Sequence, residues 1–501
     1  MNSVAFFWRA YMHRLPRVVG HRYFFLALCG FFVLNAGWLA LSVAYPMIFD
    51  EEYHVGIIDI YARQLSPFIT VQPPEAALYG DITRYTSYLY HYLASFPYRL
   101  VSFFTSDIQT HIVVLRFLNV AVMVGALVLY RKVLLMARIS PVLVHIALLF
   151  FVMTPLLAYA AAQVSYDPLT FALIPAMAIC AIRVVQSKKW FWWLVALGVI
   201  GALSTLIKFT MLPFLTVFFV VALGMRLRRS GPRFLTQASE QIRRSPWLVV
   251  VGAAVLAALS MALFIERYGG NVLRYQTLTP DCAAVQSVET CNKYGPWARN
   301  AMLEQQQLFM QQPVDNIAVY TVFNWIPHIV DDFFIAAVYP TASAPVLHQG
   351  TPQNLEGTAG HVLTRVVGWA GFIGGVIVVA WQWRRLAQYK ALLVCLAAGA
   401  VYVGILHARN YSEYVAFAMP VAVQGRYILS ILPFVFAAIL ICLSAIRTPR
   451  LKVGAFTVAC ICFVFGAGAL PYIMYGQPLW SWPWMVEPNL VLQGILNYIR
   501  W

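Results

Sequence analysis

Four residues just after the first apolar stretch form the densest set of groups able to do chemistry. Asp50, Glu51 and Glu52 are consecutive carboxylates, and His54 follows two positions later. Carboxylates beside a histidine could take up a proton as a general base, or they could hold a cation. The same charges could also serve only to end a membrane-spanning helix in water. The motif leaves both interpretations open.

A further carboxylate stands in a very short turn between two apolar stretches. Asp167 precedes Pro168 there, and Asp before proline is a common turn former. A carboxylate so close to hydrocarbon is costly without a partner, however. Asp167 is therefore either a turn residue or one wall of a polar site that supplies the partner.

Three cations lie at the ends of other apolar stretches. Lys208 lies between two of them, Arg409 follows a third, and Arg426 opens a fourth. The planar fork of arginine can bind a phosphate through two hydrogen bonds, and the first N–H groups of a helix add further donors. Each cation alone could be a structural anchor. Together, at one membrane depth, they would suit a lipid-linked phosphate or diphosphate.

The composition indicates which elements must position these residues. Hydrophobic residues make up 61% of the 501-residue chain and charged residues 11%, whereas soluble domains contain roughly 45–50% and 25%. The chain is therefore predicted to be an all-α polytopic membrane protein, which excludes a secreted enzyme, a disordered chain and a collagen-like fibre. A spanning helix needs about 20 apolar residues. That rule predicts about eleven spans, at 23–47, 111–130, 141–161, 168–186, 190–207, 209–225, 247–265, 363–383, 391–407, 425–445 and 453–472.

The charges predict the orientation of these spans. With the N-terminus in the cytoplasm, most of the 35 Lys and Arg residues fall in inner segments, and Glu240 is the only acid there. A Lys and Arg bias is the signal that orients membrane proteins. An odd number of spans then puts the C-terminus outside, and the acids indicate that the chemistry faces outward. Because the basic residues lie between apolar stretches, the net charge of +16 does not indicate nucleic-acid binding.

Two outer segments, 48–110 and 266–362, are too long to be simple connections. Within the first, tyrosine and leucine residues recur near helical spacing over Thr83–Leu100. That pattern predicts a helix lying on the membrane surface, and we expect interfacial helices in both outer segments. The predicted organisation is a transmembrane domain over 1–472, which includes both segments, followed by an aromatic-rich outer tail over 473–501.

Two of the eight cysteines lie in the second outer segment. Cys282 and Cys291 could form a local disulfide in an oxidising compartment, with a stabilisation of roughly 2–3 kcal/mol. The other six cysteines fall within predicted spans, where cysteine usually packs as a small hydrophobic residue.

Four short motifs resemble a known family. They are Asp50-Glu51-x-x-His54, Val164-Ser165-Tyr166-Asp167, the Leu203–Pro213 stretch with Lys208, and Gln424-Gly425-Arg426-Tyr427. With the long first outer loop, they resemble the GT-C superfamily of integral membrane glycosyltransferases, and most closely an uncharacterised bacterial family of multi-spanning GT-C-like proteins. Gln-Gly-Arg-Tyr is the most specific motif. The tripled acids at 50–52 leave the catalytic position among them open.

The resemblance implies a GT-C-like fold and a glycosyltransferase in the inner (cytoplasmic) membrane whose active site faces outward. Its donor would be a polyprenyl-phosphate-linked sugar, and its acceptor an envelope glycan or lipid. The lipid phosphate is a good leaving group, so the reaction needs a base for the acceptor hydroxyl and positive charge for the departing phosphate. A divalent cation, Mg²⁺ or Mn²⁺, could bridge carboxylates and phosphate, although the sequence establishes no metal requirement.

These requirements assign roles to the residues introduced above. Asp50 is the first candidate for the base, and Glu51 and Asp167 are the alternatives. The residues expected to bind the lipid phosphate are Lys208, Arg409, Arg426 and Tyr427. Those expected to contact donor or acceptor are Glu52, His54, Gln424 and His407.

A transporter or flippase of lipid-linked sugars is the alternative function, because it too would need cations at the membrane surface. Transporters often show paired halves with broken helices near the midplane, whereas here no internal repeat is visible and the polar residues concentrate on one face. A non-catalytic scaffold would leave the outer acids without a common purpose. The chain has no Walker A loop, so nucleotide-driven pumping by this chain alone is not expected.

Overall fold

The computed structural model describes residues 17–47, 50–333, 359–446, 472–473 and 481–499. These residues form helices and connecting turns, and their one β-type contact is an isolated antiparallel bridge between Val43 and Ser481. The all-α prediction is therefore confirmed for the described part of the chain.

The helices fall into two groups along the sequence. Those up to residue 264 are α1 Arg22–Ser42, α2 Glu51–Ala62, α3 Leu89–Ser102, α4 Ile108–Met136, α5 Pro141–Met153, α6 Pro155–Ala162, α7 Asp167–Gln186, α8 Trp190–Ile207, α9 Leu212–Ser230, α10 Phe234–Arg243 and α11 Trp247–Phe264. Those after it are α12 Gly270–Tyr275, α13 Cys282–Val285, α14 Val288–Cys291, α15 Gly295–Met310, α16 Ile317–Val319, α17 Ile326–Asp331, α18 Ala359–Gln382, α19 Lys390–Phe417, α20 Leu432–Ser444 and α21 Pro483–Ile499.

Short 3₁₀ and π segments join several of these helices. The 3₁₀ segments are Pro74–Tyr79, Phe209–Met211, Gly231–Arg233, Trp383–Gln388, Gly425–Tyr427 and Leu429–Ile431. The π segments are Ile265–Gly269 and Tyr320–Trp325. The first of these prolongs α11 into α12, and the helix Trp247–Tyr275 is continuous as a result.

Among the described residues, nine helices are long and apolar enough to cross a membrane. They overlap nine of the eleven predicted spans, so the architecture is that of a multi-pass membrane protein. The predicted span 453–472 lies almost entirely outside the described residues. So do residues 334–358 of the second outer segment.

The predicted single span over 141–161 is broken. Its two halves, Pro141–Met153 and Leu156–Ala162, are bent by 72°. The break falls at Thr154, whose backbone is extended, the conformation favoured for a residue before proline. Counted as one bent span, the pair raises the described total to ten.

The helix predicted over Thr83–Leu100 begins later, at Leu89, and ends at Ser102. Asp81 is the reason, because its carboxylate accepts hydrogen bonds from the N–H groups of Thr83 and Arg84 and holds a turn there. Arg267 then donates to the backbone carbonyl of Thr83. These side chains satisfy backbone groups that a helix would otherwise have to pair.

Three adjacent helices position the candidate site. α7 packs along α4 and α8, and α9 packs against α7 and α8. α7 begins at Asp167, while α8 ends at Ile207, one residue before Lys208. Asp167 and Lys208 therefore lie at the same end of the bundle. The basic segments 183–190 and 226–244 lie at the other end, about 30 Å away for helices of this length.

Candidate functional site

Four charged residues form one connected network, which we call the acid–cation network: Asp50, Asp167, Lys208 and Arg426. The ammonium nitrogen Nζ of Lys208 lies 2.6 Å from Oδ1 of Asp167. Arg426 Nη2 donates to Oδ2 of Asp50 at 2.9 Å, and its Nη1 lies 4.0 Å from Oδ2 of Asp167. The structure thus brings together residues from four of the apolar stretch ends identified in the sequence.

Lys208 reaches the network because its backbone leaves the helical conformation. Its φ and ψ are −149° and 118°, which ends α8 before the 3₁₀ turn at Phe209. Its ammonium lies 4.6 Å from the ring centre of Tyr166 and 4.9 Å from that of Tyr427. Two aromatic faces and one carboxylate together stabilise this buried cation.

Asp50 differs from the other members of the network in its exposure and its backbone. Its side chain is 58% exposed, whereas those of Asp167 and Arg426 are 1% and 3% exposed. Its backbone has φ 66° and ψ 28°, the left-handed region that costs energy for a residue with a side chain. This conformation places a half-exposed carboxylate beside the buried arginine.

Arg426 lies in a turn whose close packing favours glycine at position 425. The N–H of Gly425 donates to Oδ2 of Asp332 at 2.5 Å, and a Cβ at Gly425 would come within 3.0 Å of the carbonyl oxygen of Ile329. Burial raises the pKa of Asp332 to about 6. Asp332 was not among the residues predicted from the sequence, because an Asp in a long outer segment gives no sign that it packs under the Arg426 turn.

Glu51 is occupied by structural contacts. Its carboxylate is fully buried and pairs with Arg116 through two hydrogen bonds of 2.7 and 2.8 Å. It also accepts the backbone N–H groups of Met47 and Val164. Arg116 in turn donates to the carbonyl of Val43. Glu51 therefore joins the end of α1, the first half of α4 and the 162–167 turn, which favours a positioning role over proton transfer.

Arg116 was also not predicted as a site residue. The signal was present in the sequence, because Arg116 lies inside the predicted span 111–130. An ionisable residue within a span is usually paired and functional. Its partner Glu51 is 65 positions away in the chain, so the pair could not be assigned from spacing.

His54 lies beneath the network in a buried pair. Its Nδ1 is 2.9 Å from Nε2 of His91, and its ring meets that of Tyr166 edge to face at 4.7 Å. Burial lowers the pKa of both His54 and His91. Both imidazoles are therefore neutral at pH 7, and one of them donates a hydrogen bond to the other.

A tyrosine cluster borders the network on the side of the outer segments. Tyr53 contacts the rings of Tyr85 at 6.2 Å and Tyr294 at 5.9 Å. Burial is the main cause that raises the pKa of all three phenols, and the charge of Asp50 adds to the shifts of Tyr85 and Tyr294. Because Tyr294 belongs to the second outer segment and the others to the first, the two segments meet beside Asp50.

A small cavity opens among Asp167, Lys208, Arg426 and Tyr427. Its volume of about 10 Å³ is roughly that needed for one water molecule. Asp167 is one of the lining residues, and in the described part of the chain its buried Oδ2 accepts no hydrogen bond. A donor group entering the cavity would find that oxygen ready to accept it.

The remaining residues predicted from the sequence differ in whether they contact the acid–cation network. Tyr427 lies against both Lys208 and Arg426, and Gln424 is next to the turn, with its Oε1 buried and accepting no hydrogen bond among the described residues. Glu52 is exposed on α2. None of the hydrogen bonds, ion pairs or ring contacts described for Arg409 and His407 joins them to the network.

Arg409 and His407 instead contact neighbours along α19 and in the second outer segment. Arg409 is 66% exposed and pairs with Glu413. His407 lies 2.8 Å from the hydroxyl of Thr321 and packs against Trp325. Of the three predicted cations, the structure therefore places Lys208 and Arg426 in the acid–cation network, whereas Arg409 pairs with Glu413.

Cys282 and Cys291 form a disulfide in the structure. The four other cysteines in the described residues, Cys29, Cys180, Cys395 and Cys442, are buried free thiols. Within the described ranges, no three His, Cys, Asp or Glu side chains cluster so that they could hold a metal ion.

No protein-family model and no curated protein matches the chain.

Proposed function

We propose that the chain is an integral membrane glycosyltransferase that transfers a sugar from a polyprenyl-phosphate donor to an envelope glycan or lipid. The observation that carries this proposal is the acid–cation network. A half-exposed carboxylate, Asp50, shares the buried Arg426 with Asp167, and Asp167 also pairs with Lys208. That arrangement offers a proton acceptor and phosphate-binding cations within one site. The GT-C-like fold and the outward orientation of the site belong to the proposal.

The network suits a phosphate ligand because its cations are now held by carboxylates that a phosphate could replace. A donor phosphate would compete with Asp50 for the guanidinium of Arg426, since both are anions and arginine binds either through two hydrogen bonds. Asp167, which pairs with Lys208 and lies 4.0 Å from Arg426, would keep the arginine in place from the buried side. Donor binding would thus release Asp50 at the moment when a base is needed.

The transfer step follows from these positions. The acceptor hydroxyl attacks the anomeric carbon of the sugar while Asp50 takes its proton. The bond between that carbon and the phosphate oxygen breaks, and the electron pair leaves with the polyprenyl phosphate. Arg426 and Lys208 stabilise the additional negative charge on the leaving phosphate. The lipid phosphate needs no protonating acid.

The tyrosine cluster supplies the kind of surface that a sugar ring requires. Tyr53 packs against Tyr85 and Tyr294, and the charge of Asp50 contributes to the raised pKa of the latter two phenols. Apolar ring faces stack on sugars, and phenolic hydroxyls can bind sugar hydroxyls. A sugar placed there would have its anomeric carbon beside the network.

The test is a transfer assay with purified protein. It is incubated with a panel of polyprenyl-phosphate-linked radiolabelled sugars and envelope acceptors, with Mg²⁺, with Mn²⁺ and with EDTA. The proposal expects label in the acceptor and free polyprenyl phosphate in equal amounts for at least one donor. Label that crosses a bilayer while still attached to its lipid would instead identify a transporter of lipid-linked sugars.

A further inference from the structure

A cavity lies at the end of the bundle opposite the acid–cation network. It has a volume of about 400 Å³ and lies between the ends of α7, α8, α9 and α10. Its lining contains four cations, Lys188, Arg226, Arg229 and Arg244, and one acid, Glu240. We call it the basic cavity. Because cations exceed acids in its lining, its field favours an anion.

Two N–H donors of the lining have no acceptor among the described residues. They are Nε of Arg226 and the indole Nε1 of Trp190, and both atoms are buried. Trp190 itself is fully buried, with the guanidinium of Arg226 4.7 Å from its ring centre. Buried donors are normally paired. Two unpaired donors on one cavity wall indicate a ligand that brings acceptor oxygens.

The cavity wall is already fixed in place by hydrogen bonds. Arg226 Nη2 donates to Oε1 of Gln237 at 2.9 Å, and Arg229 Nη1 donates to the carbonyl of Val185 at 2.9 Å. Oε1 of Gln241 accepts the N–H of Phe191 at 3.2 Å. These bonds join α10 to α8 and α9, and α9 to the end of α7. Arg226 and Arg229 are therefore held in position before any ligand arrives, which lowers the cost of binding.

The surroundings of the cavity indicate that its ligand comes from the membrane. Leu235 on α10 is 76% exposed, and Trp247 and Leu248 at the start of α11 are 70% and 65% exposed. Exposed apolar side chains beside arginines are typical of a helix that lies in the headgroup region. Basic pockets between membrane helices commonly bind the phosphates of anionic lipids.

We propose that the basic cavity binds the phosphate of an anionic phospholipid headgroup in the leaflet opposite the acid–cation network. Arg226 and Trp190 would donate to its oxygens, and Lys188, Arg229 and Arg244 would balance its charge. This site is independent of the proposed transfer reaction, so either can fail without the other.

The test measures phospholipid binding to the full-length protein in detergent by native mass spectrometry. Phosphatidylglycerol is compared with phosphatidylcholine, and inorganic phosphate and glycerol phosphate are added as soluble competitors. We expect phosphatidylglycerol to bind at least tenfold more tightly than phosphatidylcholine, and the soluble phosphates to displace it only at much higher concentration. Equal affinity for the two lipids would overturn the proposal. Displacement by inorganic phosphate at the concentration of the lipid would overturn the assignment to a lipid.

Variants locate the binding site. Arg226→Gln removes a charge-assisted contact to phosphate and should weaken phosphatidylglycerol binding roughly tenfold or more. Arg228→Gln is the matched control, because Arg228 is exposed on the same helix and does not line the cavity. Lys188→Gln, at an exposed position in the lining, provides a second test if Arg226→Gln does not fold. Equal losses in the cavity variants and in Arg228→Gln would show that binding depends only on overall charge and would contradict the site.

Discussion

At the scale of single residues, the carboxylates near Arg426 differ in how their charge is compensated. The charge of the Glu51 carboxylate is compensated by Arg116 and by hydrogen bonds from two backbone N–H groups. Asp167 is buried against Lys208. Asp50 is the one of the three that remains largely exposed. Because proton transfer requires contact with substrate, Asp50 is best placed to act as the base and the other two to hold the site together.

Removing one partner of the Glu51–Arg116 pair should destabilise the protein strongly. Glu51→Gln leaves Arg116 as a buried charge without its counter-ion, which typically costs about 3–5 kcal/mol. The expected result is a clearly lower unfolding temperature in detergent. A double-mutant cycle with Arg116→Met should show a coupling between the two positions, because each single change leaves the other group uncompensated. A stable Glu51→Gln variant without transfer activity would assign the base to Glu51 instead.

Asp332 should make stability depend on pH. Burial raises its pKa in the folded protein to about 6, against about 3.9 for an unperturbed aspartate. Between these values the folded chain keeps a proton that the unfolded chain has lost. The contribution of Asp332 to stability is thus greatest below pH 4 and is lost as the pH rises through 6, by about 3 kcal/mol.

Asp332→Asn separates this effect from other titrations. Asparagine can still accept the N–H of Gly425 but cannot ionise. Unfolding temperatures measured at intervals from pH 4 to pH 7 should therefore fall less steeply in the variant than in the natural protein. Parallel curves for the two proteins would show that Asp332 does not titrate in this range.

At the scale of elements, the sequence predicted the helices well where hydrophobic length determines them. Asp167–Gln186 and Trp190–Ile207 match the predicted spans to within a residue. The prediction was wrong where a side chain outweighs the hydrophobic pattern. Asp81, for example, holds a turn where α3 was predicted to start. The ends of the helices near the site also depend on contacts between distant segments, such as Gly425 with Asp332. Contacts of this kind cannot be predicted from residue spacing along the chain.

The same distinction applies to the candidate site. The sequence drew attention to four residues, Asp50, Asp167, Lys208 and Arg426, because each places a charge at the end of an apolar stretch. A charge beside hydrocarbon is costly without a partner, so each of these positions suggested a polar site. Arg116 and Asp332 could not be assigned, since each is explained by a partner far away in the sequence. Arg409 looked equivalent to Arg426 from its place beside a span, yet its contact is a local pair with Glu413.

The disulfide of the second outer segment should be present in protein from an oxidising compartment. Cys282 and Cys291 are nine positions apart and belong to α13 and α14. Peptide mapping without reductant should recover the two cysteines in one linked species. Replacing both with serine should lower stability by roughly 2–3 kcal/mol, because the unfolded segment gains freedom. Recovery of two alkylated thiols from unreduced protein would refute the bond.

At the scale of the whole molecule, the two ends of the bundle carry different charges. The acid–cation network and the outer segments occupy one end, and the basic cavity occupies the other. The Lys and Arg bias predicts that the basic end faces the cytoplasm. A cysteine placed at Gln305 on α15 should therefore react with an impermeant thiol reagent on intact cells, whereas one at Leu235 on α10 should react only after permeabilisation. The reverse labelling would place the network inside.

Turnover and donor binding, measured side by side in Asp50→Asn, test whether Asp50 is the base of the transfer reaction. Asparagine keeps the volume of the side chain but cannot take up the proton, so transfer should fall by roughly 10²–10⁴-fold. Binding of the polyprenyl-phosphate donor should survive, whereas Arg426→Gln should weaken it because a charge-assisted contact is lost. Glu304→Gln, at an exposed acid on α15, is the matched control and should leave both unchanged. A folded Asp50→Asn variant that transfers sugar at the natural rate would show that Asp50 is not the base.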